Sequence, residues 1–480
     1  MAAPKRYLCW DKKLIETQKN TELQMHKTER KNIAVLCDNE WEGAHNGYSS
    51  VIRTADGYKF YYRADASRHL ADGTMAKSKA VICVAESRDG KTFTKPNVGK
   101  FDFNGTKNNN IVFMRETFLD NFSVFYDDNP DCPADERIKA LTPDRVDGAE
   151  ILYYYASADG YDFRLIRALP IRGTFDTYNV VLWDADRKKY FLYYRAFHTA
   201  DGTDVFSFRH MNIYKVIRDV RVATSDDFVN WTEHGRITFE GKKKDYQQYT
   251  NQIVKYFRSD DTFIGFPLRY RDRVKERRNF DFMPLGDRHR VIYEAFKREG
   301  TAVTDCGIMT SQDGFVFDRR DEAFATPGPE ARDNWWYGNC GYSYGMIETE
   351  PDVPGAPKEI SMFMGENYRI KGVNFARHTI RLDGFFSWFG RFCGGRVVTK
   401  PITVSAGEMR VNFATSALGG MRVTLLDESG KPIPGYKSYE MFGDSADRPV
   451  EFEKPLSELS GKKVKIKFDI CDCHLYSFTL

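Results

Sequence analysis

The chain has 480 residues, of which 41% are hydrophobic and 15% aromatic, so it can bury a large core and hold more than one domain. Its 71 basic and 68 acidic residues leave a net charge of only +3. The overall charge therefore gives no reason to expect nucleic acid or a membrane surface as a partner. No stretch approaches the ~20 apolar residues of a transmembrane helix, and the first ten residues lack the apolar core of a signal peptide. We therefore expect neither nucleic acid nor a membrane as a partner.

The nine cysteines are odd in number and have no metal-like spacing, which predicts free thiols and a reducing compartment. Cys471 and Cys473 are too close for a zinc knuckle and are more typical of a buried strand. We predict no metal and no cofactor. We expect a cytoplasmic location for the chain as given, or a secreted or periplasmic one if a signal peptide has been removed.

Abundant Tyr and Phe, with Gly, Asn and Asp between apolar runs, favour strands over helices and predict an all-β protein. Residues 1–40 form a polar lead-in with one short strand near the start, and this lead-in is a candidate for closing a ring. Trp41 then opens a pattern of strand, hairpin and strand that ends in a compact turn at Ser87. The pattern starts again four times, near positions 119, 173, 249 and 338, which is typical of a repeat protein.

The turn that ends each repeat has the sequence S-x-D-[GF]-x-x-[FW]. Four copies begin at Ser87, Ser157, Ser225 and Ser311, and a looser fifth begins at Arg381. Ser and Asp side chains bond turn backbone, Gly permits positive φ, and the aromatic residue anchors the turn on its sheet. The motif therefore marks the ends of five similar units.

Each unit has about four strands, which cannot bury both faces alone, so five units predict a five-bladed β-propeller over residues 41–390. A β-sandwich with the same turns is the alternative. From about Gly394 the strands become short and closely spaced, which predicts a small β-sandwich over residues 391–480. Its turns carry no carboxylate cluster, so we expect a packing role for it.

In a propeller the first strands of all blades begin at one end of the axis, so residues just before them converge on one pocket. Three carboxylates precede different blades: Glu42, Asp120 and Asp176. Such carboxylates suit glycosidic bond cleavage, in which one protonates the leaving oxygen and another attacks or activates water. Each carboxylate also has an alternative interpretation as a structural residue. Asp120 and Asp176 could stabilise turns, and Glu42 could form a surface pair with Trp41.

Polar, charged and aromatic residues near the starts of the blades predict a binding site for a carbohydrate. These binding candidates are His45, Asn46, Arg63, Arg195, Asn251, Gln252, Arg269, Trp335, Trp336 and Glu366.

The fourth unit carries an arginine-rich insertion over residues 269–297. One interpretation is a solvated loop whose arginines are balanced by nearby acidic residues. The other is a lid whose guanidinium groups meet a carboxylate or sulfate on the substrate. Arg63 and Arg195, each in a tyrosine-rich strand, would add to that lid.

Four segments carry a resemblance to known proteins: residues 129–137, Phe175-Asp176 with Asn179, residues 223–228 with Trp231, and residues 475–478. They resemble the five-bladed propeller glycoside hydrolases, the superfamily of β-fructosidases, arabinanases and xylosidases. The similarity spans most of the chain and looks greatest to bacterial family 32-like glycosidases, in which a small sandwich follows the propeller.

Fructosidases carry the motif WMNDPNG in their first blade, with the nucleophile as its Asp. Residues 41–47 read WEGAHNG here, so Ala44 stands at that position and a retaining fructosidase mechanism is disfavoured. The resemblance of Asp120 to the second-blade RDP motif implies a transition-state-stabilising carboxylate. The resemblance of Asp176 to the third-blade Glu-Cys position implies the general acid, and Glu42 is the nearest replacement for the base or nucleophile.

These observations predict an exo-acting glycoside hydrolase for a terminal furanose or an acidic sugar, with inversion slightly favoured. The alternative is a non-catalytic carbohydrate-binding propeller, in which the carboxylates only bond sugar hydroxyls. A third hypothesis is a scaffold for protein partners, which predicts a large exposed apolar patch.

Overall fold

A computed structural model describes residues 5–207, 211–331 and 334–480. The protein is mostly β, as the composition predicts. In the part of the chain described, no helix is long and apolar enough to cross a membrane. All nine cysteines are free thiols, and all but Cys393 and Cys471 are buried.

Four strands precede the first repeat: β1 (Arg6–Leu8), β2 (Ile15–Lys19), β3 (Thr21–Met25) and β4 (Glu29–Leu36). Sheet 1 then contains β5 (Gly47–Thr54), β6 (Gly57–Asp65), β9 (Ala80–Ser87) and β10 (Ile111–Met114), with the small hairpin β7 (Arg68–His69) and β8 (Met75–Ala76) between β6 and β9. Sheet 2 contains β11 (Ser123–Tyr126), β12 (Ile138–Val146), β13 (Ala149–Ser157) and β14 (Arg164–Ala168). In both sheets each strand pairs antiparallel with the next one in order.

Sheet 3 contains β15 (Val180–Asp184), β16 (Lys189–Thr199), β18 (Val216–Ser225) and β19 (Thr232–Arg236), with the short β17 (Asp204–Val205) beside β16. Sheet 4 is split in two. Its main part contains β20 (Thr238–Phe239), β22 (Val254–Lys255), β23 (Phe263–Gly265), β26 (Met309–Ser311) and β27 (Val316–Arg319). A separate three-stranded part contains β21 (Gln247–Gln248), β24 (Leu268–Asp272) and β25 (Ala302–Cys306).

Sheet 5 contains β28 (Ile347–Thr349), β29 (Glu359–Glu366) and β30 (Asn374–Arg381), and β4 from the start of the chain completes it. The last strands are β31 (Phe386–Gly390), β32 (Gly395–Thr399), β33 (Ile402–Thr403), β34 (Arg410–Leu426), β35 (Pro432–Lys437), β36 (Asp444–Pro449) and β37 (Lys463–Thr479). Short 3-10 helices lie at Lys12–Leu14, Ala134–Glu136 and Leu456–Leu459.

The repeated turn has the same hydrogen bonds in all four full copies. At Ser87 the hydroxyl donates to Asp89 Oδ1 at 2.8 Å and accepts from the Gly90 amide at 2.9 Å, while Asp89 Oδ1 also accepts from the Lys91 amide. The copies at Ser157, Ser225 and Ser311 repeat these three bonds. These contacts are local, which explains why the sequence alone located the turns.

Neighbouring sheets lie side by side in chain order from sheet 1 to sheet 4, and sheet 5 lies beside sheet 1. Strand β5 lies beside β11, β11 lies beside β15, and β15 lies beside β22, and each of these is the first strand of its sheet. Strand β28, the first strand of sheet 5, lies beside β5. Aromatic rings join the faces of neighbouring sheets, with 4.5 Å between the ring centroids of Tyr154 and Phe228 and 5.0 Å between those of Phe60 and Phe375. At the end where the first strands finish, all five line one cavity.

The N-terminal segment predicted as a lead-in belongs to two sheets. Strands β1, β2 and β3 pair with β37, β32 and β31, and β4 pairs with β30 of sheet 5. The long β34 and β37 pair along most of their length and enclose a separate core that includes Phe413, Val423, Ile466 and Phe468. The division of the chain into residues 1–40, 41–390 and 391–480 stays a prediction.

The arginine-rich insertion is folded and largely helical, so the loop interpretation is wrong. It contains a 3-10 stretch at Val274–Phe282, the helix α1 at Gly286–Phe296 and a 3-10 turn at Lys297–Gly300. Helix α1 buries His289 and Ile292, and the indole of Trp336 packs against the His289 ring. The insertion therefore packs on the protein as a small subdomain beside the end where the first strands begin.

Candidate functional site

A cavity lies between sheets 1, 4 and 5, at the end where their first strands begin. Tyrosine rings form much of its wall, and four of the predicted binding residues line it. The lining includes Asn46, Tyr48, Arg63, Tyr249, Gln252, Tyr337, Glu366 and Tyr368. The mixture of rings with a few polar groups is typical of a carbohydrate or small-ligand site.

Two of the lining residues are held in place by charged partners. Arg63 donates to Asp65 Oδ2 at 2.7 Å and to the carbonyl of His45 at 2.9 Å, while its Nε has no partner in the described part of the chain. Glu366 accepts two hydrogen bonds from Arg30, at 2.7 and 2.9 Å. Arg63 therefore keeps one donor free, whereas both carboxylate oxygens of Glu366 are engaged.

The side-chain amides of Asn46 and Gln252, which line the cavity, are each oriented by a hydrogen bond to a nearby residue. Asn46 Oδ1 accepts from the Asp65 amide at 3.2 Å. Gln252 has a positive φ of 40° and its Oε1 accepts from the Thr250 hydroxyl at 2.6 Å. Asn46 lies just before β5 and Gln252 lies just before β22, as the sequence predicts.

Asp120 lies just before β11, and its Oδ2 is buried without a hydrogen-bond partner among the described residues. Burial raises the pKa of this carboxyl, Arg63 and Arg195 oppose the rise, and the nearby Glu150 adds to it. A carboxyl with a raised pKa holds its proton to higher pH, which suits a proton donor.

Tyr48 and Tyr249 connect Asp120 to the cavity. Both rings line it, and the Tyr48 hydroxyl donates to that of Tyr249 at 3.3 Å. Burial raises the pKa of both tyrosines, and the charge of Asp120 raises each further. Asp120 is therefore near enough to both tyrosines for its charge to act on their hydroxyl groups.

Asp176 lies just before β15 in a different electrostatic environment. Its carboxylate pairs with the guanidinium of Arg195, which is buried in β16. Burial and the neighbouring Arg218 lower the pKa of Arg195 to about 10. The side chain of Asp176 is 27% exposed, so solvent or a ligand can reach it.

Glu150, at the start of β13, fixes the backbone around Asp176. Its Oε2 accepts from the Asp176 amide at 3.1 Å, and its Oε1 accepts from Arg145 Nη2 at 3.0 Å. Arg145 Nη2 also lies 4.0 Å from Asp176 Oδ2. Sheet 2 therefore supports the carboxylate of sheet 3.

The structure does not bring Glu42 to this site. Its side chain is fully buried, and Oε2 accepts from Lys95 at 2.7 Å and from the amides of Asp38 and Asn39 at 2.8 Å each. Oε1 accepts from the Tyr62 hydroxyl. The expectation that Glu42 faces the pocket is wrong, because every oxygen is used to hold the turn before β5.

His45 and Asn251 are buried beside the cavity and do not line it. The His45 ring lies 5.8 Å from the rings of both His69 and Tyr368, and burial together with Arg369 and Arg63 lowers its pKa to about 2. Asn251 Oδ1 accepts from the Ile253 amide at 3.2 Å, and Nδ2 donates to the Tyr178 carbonyl at 3.4 Å. Their positions indicate support for the walls.

Three further binding candidates lie away from the cavity. Arg269 makes two hydrogen bonds to Asp305, both at 2.6 Å, and Trp336 is fully buried with its indole donating to the Glu299 carbonyl at 2.5 Å. Arg269 and Trp335 line a second groove on the outer side. The sequence could not separate these locations because all three sit near blade entrances.

Sequence reasoning missed Glu150, Tyr48, Tyr249 and Arg218. Glu150 follows the turn at Asp147-Gly148 and precedes a tyrosine-rich strand, and this acidic residue at a strand start was the available signal. Within the described residues, no group of three or more His, Cys, Asp or Glu side chains is placed to hold a metal ion.

No protein-family model matches the chain, and no curated protein matches it. Solved structures do match it at low identity. An N-acetylgalactosamine deacetylase from F. plautii, in complex with blood group B trisaccharide, is 11% identical with a TM-score of 0.45, covering 75% of this chain and 96% of its own.

Two glycoside hydrolases are among the other matches. A family 43 arabinoxylan arabinofuranohydrolase from Bacillus subtilis is 12% identical with a TM-score of 0.32, covering 92% of this chain and 80% of its own. A family 32 β-fructofuranosidase from Bombyx mori is 9% identical with a TM-score of 0.39, covering 95% and 94%. The families named by the sequence resemblance thus recur among the structural matches, and similarity of this degree carries no information on activity.

Proposed function

We propose that the five sheets are the blades of a five-bladed β-propeller and that the protein is an exo-acting glycoside hydrolase. The propeller is supported by the neighbouring first strands, by the packing of sheet 5 on sheet 1, and by the cavity that all five first strands line. Strand β4 closes the ring by pairing with β30. Closure of this kind leaves sheets with few free edges.

One observation carries the activity: two carboxyl groups of neighbouring blades stand in opposite electrostatic environments. Asp120 is partly buried, with a buried Oδ2 and a raised pKa, whereas Asp176 is paired with Arg195. Pairs of carboxyl groups kept in different protonation states divide acid and base roles in glycoside hydrolysis. In this proposal Asp120 and Asp176, which lie outside the cavity lining itself, supply the two groups that the reaction needs.

In this proposal Asp120 is the general acid. It transfers its proton to the glycosidic oxygen, and the bond from that oxygen to the anomeric carbon breaks. The carboxylate of Asp176 either attacks the anomeric carbon or removes a proton from the attacking water. This assignment differs from the roles implied by the resemblance: Asp120 replaces Asp176 as the general acid because its pKa is raised, and Asp176 takes the base or nucleophile role expected for Glu42.

The cavity supports cleavage at a chain end. Tyr48, Tyr249, Tyr337 and Tyr368 surround it, and Arg63, Asn46 and Gln252 supply polar groups for sugar hydroxyls. We propose that this cavity receives one terminal sugar, a furanose or an acidic sugar, as the unit released.

The test is sugar release by four proteins: wild type, Asp120→Asn, Asp176→Asn and the control Asp226→Asn. Asp226 is a matched control because its carboxylate lies on the exposed turn at Ser225 and pairs with Lys189. Each protein is assayed on a panel of plant and microbial polysaccharides and aryl glycosides. We expect release by wild type and the control, and a loss of at least ~100-fold in the two site variants.

Equal release by wild type and Asp120→Asn would remove Asp120 from the acid role. Sugar binding without release by any protein across the panel would favour the non-catalytic carbohydrate-binding propeller. The anomeric form of the first product, followed by NMR, then distinguishes attack by Asp176 from attack by water.

A further inference from the structure

A second groove lies next to the cavity, on the other side of Tyr249. The ring of Tyr249 stacks on Tyr270 with 5.8 Å between centroids, and Tyr270 lines the groove. We call this second site the cationic groove and define it by Arg218, Gln247, Tyr270, Arg271, Arg273, Arg298 and Trp335. Only two aromatic rings therefore separate it from the sugar cavity.

Arg218 is the innermost cation of the cationic groove. It is 4% exposed, its guanidinium carbon lies 4.7 Å from the Tyr270 ring centroid, and its Nη1 donates to Gln247 Oε1 at 2.9 Å. Its Nε is buried without a partner in the described residues. Burial lowers the pKa of Arg218, and the charge of Arg298 lowers it further.

Arg298 lies on the other side of the same ring. Its Nη1 donates to the Tyr270 hydroxyl at 3.1 Å. Neither Arg218 nor Arg298 has a carboxylate within 4.0 Å among the residues that the structure describes. Both cations therefore bond only to neutral oxygens.

The acidic residues that line the groove already have partners. Asp305 binds Arg269 through two oxygens, and Asp245 lies 2.7 Å from His198 Nε2. Asp272 accepts from the Thr301 hydroxyl at 2.8 Å. Among the described residues, no carboxylate thus pairs directly with Arg218 or Arg298.

A buried cation without a counter-charge is costly, and a bound anion would offset that cost. Guanidinium groups bind carboxylate and sulfate through paired hydrogen bonds, and the Nε of Arg218 is a free donor for one of them. The exposed Arg271 and Arg273 add positive charge at the mouth. Trp335 offers an aromatic surface on which a sugar ring can pack.

We propose that the cationic groove binds an anionic substituent, a carboxylate or a sulfate, on the sugar next to the one held in the cavity. The substrate is then an acidic glycan, a specification that rests on the function proposed above. The lid predicted from the insertion is replaced by Arg218 of β18 and Arg298, which directly follows the insertion. Arg269, by contrast, is neutralised by Asp305.

The test measures binding rather than turnover, so it is independent of catalysis. Two pairs of probes are titrated by calorimetry: an oligogalacturonide with its methyl ester, and a sulfated galactan oligosaccharide with its desulfated form. Wild type is compared with Arg298→Gln, the exposed variant Arg271→Gln and the control Arg277→Gln. Arg277 belongs to the same insertion but lies 3.5 Å from Glu294 and outside the cationic groove.

We expect wild type to bind one acidic probe at least about tenfold more tightly than its neutral form, with a preference that weakens as salt rises. Arg298→Gln removes most of the preference, Arg271→Gln removes less, and Arg277→Gln keeps it. The probe pair that shows the preference identifies carboxylate or sulfate as the anion.

Equal binding of acidic and neutral forms, no binding of any acidic probe, or an undiminished preference in Arg298→Gln would overturn the inference. Preference for an acidic probe without sugar release would leave this inference in place and reject the hydrolase. Sugar release from neutral glycans at the same rate by wild type and Arg298→Gln would support the hydrolase and reject this inference.

Discussion

The carboxylate of Glu150 accepts a hydrogen bond from the backbone amide of Asp176 across 3.1 Å, joining sheet 2 to sheet 3 directly behind the proposed catalytic group. The same carboxylate binds Arg145, which also approaches Asp176. Glu150 therefore acts through Asp176 as a positioning residue.

Replacing Glu150 by alanine should lower kcat about 10- to 100-fold, because misplaced catalytic groups lose reactivity steeply. Glu150→Gln keeps an oxygen for the Asp176 amide and should retain more activity than Glu150→Ala. The measurement is kcat and KM for both variants together with their melting temperatures. Equal kcat in wild type and Glu150→Ala would show that Asp176 needs no such support.

In the proposed mechanism the protonation of Asp120 sets the alkaline limit of activity. Burial raises its pKa, so the protonated form persists to higher pH than for an ordinary aspartic acid, and activity falls as pH rises through that raised value. The measurement is kcat/KM against pH. Arg63→Gln removes a cation that lowers this pKa, so its alkaline limit should move to higher pH. A limit that stays in place in Arg63→Gln would contradict the assignment.

Glu42 should matter for stability and not for chemistry. Removal of one partner of a buried ion pair costs about 3 kcal/mol or more, and Glu42 binds Lys95 together with three other donors. We expect Glu42→Gln to lower the free energy of unfolding in denaturant by about that amount. The folded variant should release sugar at the wild-type rate well below its melting temperature. A rate loss of ~100-fold in fully folded Glu42→Gln would restore its predicted catalytic role.

Asp383 joins three parts of the chain. It stands in the looser fifth turn, and its buried carboxylate binds Arg258 at 2.9 Å, Ser477 at 2.6 Å and Arg6 at 3.2 Å. Burial alone would raise its pKa, but Arg258 and Arg6 outweigh burial and the pKa is lowered. The carboxylate thus ties the N-terminal strand β1, sheet 4 and the C-terminal β37 together.

Asp383→Asn should reduce the free energy of unfolding by about 3–5 kcal/mol near neutral pH. Because the folded-state pKa is lowered, this contribution is present above the unfolded value of about 4 and is lost as pH falls through the folded-state value. Denaturant unfolding of wild type and variant at several pH values checks this. A difference that stays constant down to strongly acidic pH would point to packing instead of charge.

The sequence by itself determined the mostly β class, the four turns and the positions of Asp120 and Asp176 just before a strand, while the roles of these two residues stay predictions. These features depend on short-range rules: alternation of apolar residues, Ser and Asp bonding their own turn, and an acidic residue just before a strand. The turn at Ser225 shows how local the rule is, since Phe228 adopts the positive φ that Gly takes in the other copies.

Only the tertiary structure decided which charged groups meet. Glu42 precedes a first strand as Asp120 and Asp176 do, yet Lys95 and Tyr62 capture it in the interior. Glu150 reaches Asp176 from another sheet, and Arg218 and Arg298 meet around Tyr270 although 80 residues of chain separate them. The protonation state and partner of a buried charge depend on every element packed around it, and that information is not local in the sequence.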